Sequence, residues 1–66
     1  MLYELFIPGT VGVKPVHKAL REANYPTALT TTPAHIFTWS YETERALDDE
    51  IIGKLEKITG HPVSVV

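Results

Sequence analysis

The chain contains no cysteine, one tryptophan and one methionine, and it is short of basic residues relative to acidic ones. The absence of cysteine excludes disulfides and thiolate zinc sites. No apolar run approaches the roughly 20 residues needed to span a bilayer as a helix. Six Lys and Arg against eight Asp and Glu leave a net charge of −2. A dedicated nucleic-acid binder draws most of its affinity from a basic surface, which this balance does not supply except as a local patch. The first residues, Met1-Leu2-Tyr3-Glu4-Leu5-Phe6-Ile7, lack a basic leader, and Glu4 interrupts the apolar stretch. They do not read as a secretion signal, which fits a cytoplasmic protein.

What is present is an ordinary globular composition in 66 residues, 44% of them hydrophobic. That is room for one domain, residues 1–66. A chain of this size buries only about 60% of its unfolded surface, and a single core of that size rarely supplies more than roughly 3–5 kcal/mol of net stability. Without disulfides, tight packing or association must make up the rest. A homo-oligomer or a protein partner is therefore expected.

Two kinds of periodicity divide the chain. Leu2 to Ile7 is apolar and aromatic and stops at the Pro8-Gly9 turn signal, which predicts a first strand. From Val13 to Asn24, the residues Val13, Val16, Leu20 and Ala23 recur at helical spacing, with His17, Lys18, Arg21 and Glu22 on the other side. Pro15 suits a first helical turn, Asn24 tolerates a left-handed helix end, and Pro26 blocks continuation. Thr27 to Thr32 and His35 to Tyr41 are rich in strand formers and flank Pro33-Ala34, which predicts a hairpin. Thr43 is a candidate cap for a second helix with the buried stripe Leu47, Ile51, Leu55 and Ile58. Gly60 and Pro62 end it. Gly53 inside it costs about 1 kcal/mol relative to Ala, a cost that a close approach to another backbone would explain. Val63 to Val66 reads as a final short strand.

The order βαββαβ is that of the ferredoxin-like fold, an α+β architecture. It predicts a four-stranded antiparallel sheet of order 4-1-3-2, with both helices on one face and the other face bare. Strand residues alternate sides, so Tyr3, Leu5 and Ile7 face the core and Glu4 does not. A three-residue loop, Thr32-Pro33-Ala34, would pair Leu29 with Phe37 and Thr31 with His35, and would put Phe37 and Trp39 in the core. The open face would then show Glu4, Ala28, Thr30, Thr32, Thr38 and Ser40. A two-residue loop would instead pair Leu29 with Thr38 and expose Phe37 and Trp39 beside Phe6. Pro at a two-residue hairpin cannot adopt the positive φ such turns need, which favours the first arrangement.

Three functional readings follow. The leading one is a non-enzymatic interaction or regulatory module that self-associates or docks on a protein through its open sheet face or a sheet edge, with Glu4, Phe6, Thr30, Thr38 and Trp39 as candidate interface residues. The second is a sensor of small anionic ligands. Gly9, Thr10 and Gly12 lie in a loop leading into a helix, where free N–H groups attract anions. This Pro-Gly turn, in this element order, is similar to the small-molecule-sensing ACT modules. The third is single-stranded nucleic-acid binding. Aromatics exposed on central strands would resemble the stacking platform of RNA-recognition modules, but their basic surround is missing, so nucleic acid is disfavoured as the partner. His17, His35 and His61 share no local metal-ligand spacing, and Ser40 and Ser64 stand in no nucleophile motif. The reading includes no metal, no cofactor and no catalytic residue, although subunits of an oligomer could build a site between them.

Overall fold

The computed structural model describes residues 1–32 and 35–66, with side chains omitted at 32, 35 and 36. Pro33 and Ala34, the expected hairpin loop, lie outside the described residues, and so does the side chain of His35. The elements are β1 (Leu2–Phe6), α1 (Lys14–Glu22), β2 (Leu29–Thr32), β3 (His35–Glu42), α2 (Asp49–Thr59) and β4 (Ser64–Val65). They form one antiparallel four-stranded sheet in the order β2-β3-β1-β4, the expected order read from the other edge.

The two helices touch one another, and a single apolar core lies between them and one side of the sheet. Tyr3, Leu5, Ile7 and Tyr41 enter it from the strands, Val16, Ala19 and Leu20 from α1, and Ile51 and Leu55 from α2. Their alternation on β1 is strict: Leu2, Glu4 and Phe6 between them are exposed. Both helices therefore cover the same face, and the opposite face carries no covering element among the described residues.

The third strand shows how sequence parity and real pairing diverge. Leu29 pairs with Tyr41 and Thr31 with Trp39, not Leu29 with Phe37 and Thr31 with His35 as a three-residue loop requires. Thr32 pairs with His35, the register of a two-residue loop, and an irregularity between Thr31 and Thr32 then shifts the ladder. The shift spans an odd number of residues, so beyond it Leu29 again shares a side with Trp39 and Tyr41. Trp39 also faces Leu5 across β1 and packs against the core. Phe37, inside the irregular stretch, stays 41% exposed. The two aromatics that a regular strand would treat alike are thus separated by a bulge.

The helix ends are set by specific groups. At the end of α1, Asn24 adopts a left-handed φ of 62°, its N–H donates to the Arg21 carbonyl, and the Tyr25 N–H donates to the Leu20 carbonyl. That double bond is a Schellman stop with Asn in the place glycine usually takes. α2 starts later than expected. Its cap is Asp48, whose Oδ1 accepts from the Ile51 N–H at 2.8 Å, not Thr43. Gly60, at φ 72°, ends it, with its N–H donating to the Glu56 carbonyl.

Between β3 and α2 the chain crosses the molecule from 43 to 48 without regular structure. Two tyrosines and one arginine hold it, and a third tyrosine holds the segment after α1. The Leu47 N–H donates to Tyr3 Oη at 3.0 Å, the Asp48 N–H donates to Tyr25 Oη at 3.2 Å, and Tyr25 Oη donates to the Ala46 carbonyl at 3.2 Å. Tyr41 Oη donates to the Pro26 carbonyl at 2.6 Å and ties the segment between α1 and β2 to the sheet. The Arg45 guanidinium lies 3.9 Å over the Tyr25 ring, and Nη2 donates to the Ala23 and Asn24 carbonyls left free at the end of α1. Each hydroxyl gives a partner to a backbone group of chain that has no sheet or helix ladder to pair it. Leu47 is buried as expected, but from this segment and not from the helix. Gly53 meets no neighbour within 4 Å of a built Cβ, so no close backbone approach explains it. Among the described residues no helix is long and apolar enough to cross a membrane.

Candidate functional site

The uncovered face is built from the even-numbered residues of β1 and their cross-strand partners. Leu2 pairs with Glu42, Glu4 with Ser40 and with Ser64, and Phe6 with Thr38. Beyond Ser40 lies Thr30 on β2. Most of these positions are polar, as a water-facing sheet surface requires. The exceptions are Phe6 at 40%, Leu2 at 37% and Val66 at 70% exposure. Val66 is held beside Leu2 by its N–H, which donates to the Leu2 carbonyl.

Phe6 is the centre of an aromatic group. Its ring lies 4.6 Å from that of His61 at an interplanar angle of 60°, and 6.0 Å from that of Phe37 in an edge-on arrangement. Beside it a shallow depression of about 320 Å³ is lined by Glu4, Phe6, Thr38, His61, Pro62 and Ser64. His61 reaches this place because Thr59 and Gly60 end α2 abruptly: Thr59 Oγ1 accepts from the His61 N–H at 3.2 Å, and Glu56 Oε2 accepts from the Val63 N–H at 3.1 Å. Among the described residues no hydrogen bond joins Glu4, His61 and Ser64. The three line the depression without forming a nucleophile–base pair.

The basic side chains lie on the helix side of the molecule, together with Glu22, Asp49, Glu50 and Glu56 of the same helices. Lys14, Lys18 and Arg21 belong to α1, Lys54 and Lys57 to α2, and Arg45 to the crossing segment. Among the described residues the open face carries no Lys or Arg, while Glu4 and Glu42 both lie on it. Phosphate is therefore repelled from the surface where an aromatic stacking platform would have to act.

The candidate residues divide as follows. Glu4, Phe6, Thr30 and Thr38 lie together on the open face. Trp39 lies on the helix side, against the core. The loop with Gly9, Thr10 and Gly12 is exposed at its first two positions, but it closes on itself: the Val11 and Gly12 N–H groups both donate to the Pro8 carbonyl, at 2.9 and 3.1 Å. A Cβ on Gly9 would stand 3.0 Å from Phe37 Cε1, and Gly12 holds φ 74°. Packing against Phe37 and a left-handed turn account for both glycines. His17 is half-buried instead of lying on the polar side of α1, and its Nε2 has no hydrogen-bond partner among the described residues. Also among these residues, no three metal-ligating side chains converge. His61 beside Phe6 was not foreseen. Its only sequence signal is its place just after a helix-stop glycine.

No family model matches the chain, and no curated protein or solved structure matches it either.

Proposed function

We propose that this protein is a small non-enzymatic interaction module, in a ferredoxin-like arrangement, that binds a protein surface through its open sheet face. The element order and the strand order support that architecture. The observation that carries the function is Phe6: a large aromatic, 40% exposed, on a central strand of a face that no helix covers among the described residues. Burying it is favourable at roughly 25 cal/mol per Å² of apolar area, and a chain with so small a core gains stability by finding a cover for it. Thr38 and Ser40 on the neighbouring strand, and Glu4 and Ser64 beside it, supply a polar surround of the kind that rims protein interfaces.

The test is solution mass by sedimentation from micromolar to millimolar concentration, on the native chain and on Phe6→Ser. The native chain is expected to gain mass with concentration and Phe6→Ser to remain monomeric while keeping its circular dichroism. Identical monomeric behaviour of both, with no change in solubility or melting temperature, contradicts self-association through this face.

A further inference from the structure

We infer that the occupant of the open face is a second copy of this chain, docked head to tail through the outer groove between its two helices. The inference rests on the open-face reading above and adds the partner and its geometry. Two surfaces on opposite sides of one molecule carry it. The open face offers Phe6 and Leu2, with Glu4 between them on β1 and Glu42 opposite Leu2. On the other side, α1 and α2 line a shallow groove of about 430 Å³ with Pro15, Ala19 and Ile58 as its apolar part. Lys18, Lys54 and Lys57 rim it, against a single acid, Glu22. Apolar meets apolar, and lysines meet glutamates.

A two-fold contact of open face on open face is disfavoured by the same charges. It would bring the Glu4 and Glu42 carboxylates of both copies into one interface without a Lys or Arg from either, and like charges juxtaposed in an interface are strongly unfavourable. A helix pair laid on a bare sheet face also completes the layering that sheets adopt when both sides are covered. The largest cross-section of the molecule is only 27 × 21 Å. A contact confined to it falls at or below the roughly 1,200 Å² of total buried area at the low end of stable interfaces, so association is weak and reversible. Because the two surfaces differ, the contact leaves one free groove and one free face, and it propagates as a chain of copies unless its rotation closes a ring.

The experiment uses two surface variants of the full chain. E4K/E42K reverses the open face and leaves the groove intact; K18Q/K54Q/K57Q neutralises the groove and leaves the open face intact. Circular dichroism and melting establish that each folds, and E4Q/E42Q replaces the first variant if reversal unfolds it. In sedimentation the native chain is expected to form a concentration-dependent series that shrinks with added salt. Each variant alone is expected to associate at least tenfold more weakly, and their equimolar mixture to form a one-to-one species and nothing larger. An E4Q/E42Q chain that associates more strongly than native, with the lysine variant unchanged, overturns the groove and shows face-to-face pairing, leaving the open-face reading intact. A native chain that stays monomeric to millimolar concentration overturns the second copy as the occupant, and the open-face reading fails with it only if Phe6→Ser also leaves solubility and melting temperature unchanged.

Discussion

At the scale of single residues, the least expected feature is how much of the fold rests on tyrosine hydroxyls. Tyr3, Tyr25 and Tyr41 are buried by their rings and each uses its hydroxyl to satisfy backbone groups of the chain between 25 and 48. Tyr41 shows this in its chemistry. Burial raises its pKa above the usual 10.0, and the Tyr25 charge adds to the rise, while Thr43 and Arg45 oppose it. The folded chain therefore holds the phenolic proton more tightly than the unfolded chain does. Below the unfolded value the contribution is complete, and it is lost as pH rises from about 10 through the folded value. Melting temperature is thus expected to fall across that alkaline window, with Tyr41 ionising late in an ultraviolet titration. Tyr41→Phe is expected to flatten the alkaline loss while lowering stability at neutral pH by about 1 kcal/mol, the worth of one hydrogen bond. A Tyr41 that ionises at the ordinary value, or a variant with an unchanged alkaline profile, contradicts this assignment.

At the scale of elements, the sequence was most legible where periodicity is long. The apolar spacing of Val16, Leu20, Ile51 and Leu55 placed both helices, and Asn24 and Gly60 stopped them through the left-handed backbone that their positions suggested. Legibility failed where tertiary contacts choose among equal local options. Thr43 and Asp48 are both good caps, and nothing local distinguishes them; Tyr3 and Tyr25, distant in sequence, hold residues 43–48 in non-helical form and leave Asp48 as the cap. Asp48→Ala is accordingly expected to cost about 1 kcal/mol in denaturant unfolding, partly through its hydrogen bond to the Ile51 N–H. Thr43→Ala is expected to leave the helix content unchanged. Gly53 makes the opposite prediction. It is exposed, with open space where a Cβ would go, so Gly53→Ala is expected to raise stability by about 0.5–1 kcal/mol. A destabilised Gly53→Ala would mean that this position meets something outside the isolated chain.

The hairpin is the other place where local reasoning reached its limit. The parity rule assumes a regular ladder, and the ladder between β2 and β3 shifts. Trp39 still arrived on the core side because the shift is odd, whereas Phe37 left the core and joined Phe6. Of the candidate site, Glu4, Phe6, Thr30 and Thr38 were legible from alternation alone. The contribution of His61 was not, because a loop side chain has no period to place it.

At the scale of the whole molecule, the structure is a layer of two helices over a sheet whose other side meets solvent. The bare side carries Glu4 and Glu42 and no Lys or Arg among the described residues, while the helix layer with its crossing segment carries basic and acidic side chains in equal number, with Lys18, Lys54 and Lys57 gathered at the groove. A core this small gains from a second cover, and on the inference above that lysine cluster gives the cover a direction. The account stands on the open face being the contact surface, and backbone amide chemical shifts followed from dilute to millimolar concentration test it residue by residue. The shifts are expected to move for Leu2, Glu4, Phe6, Thr38 and Ser64 on one side and for Lys18, Lys54 and Lys57 on the other, with Tyr3, Leu5 and Leu55 unmoved. Shifts confined to the helices, or none at any concentration, would contradict it.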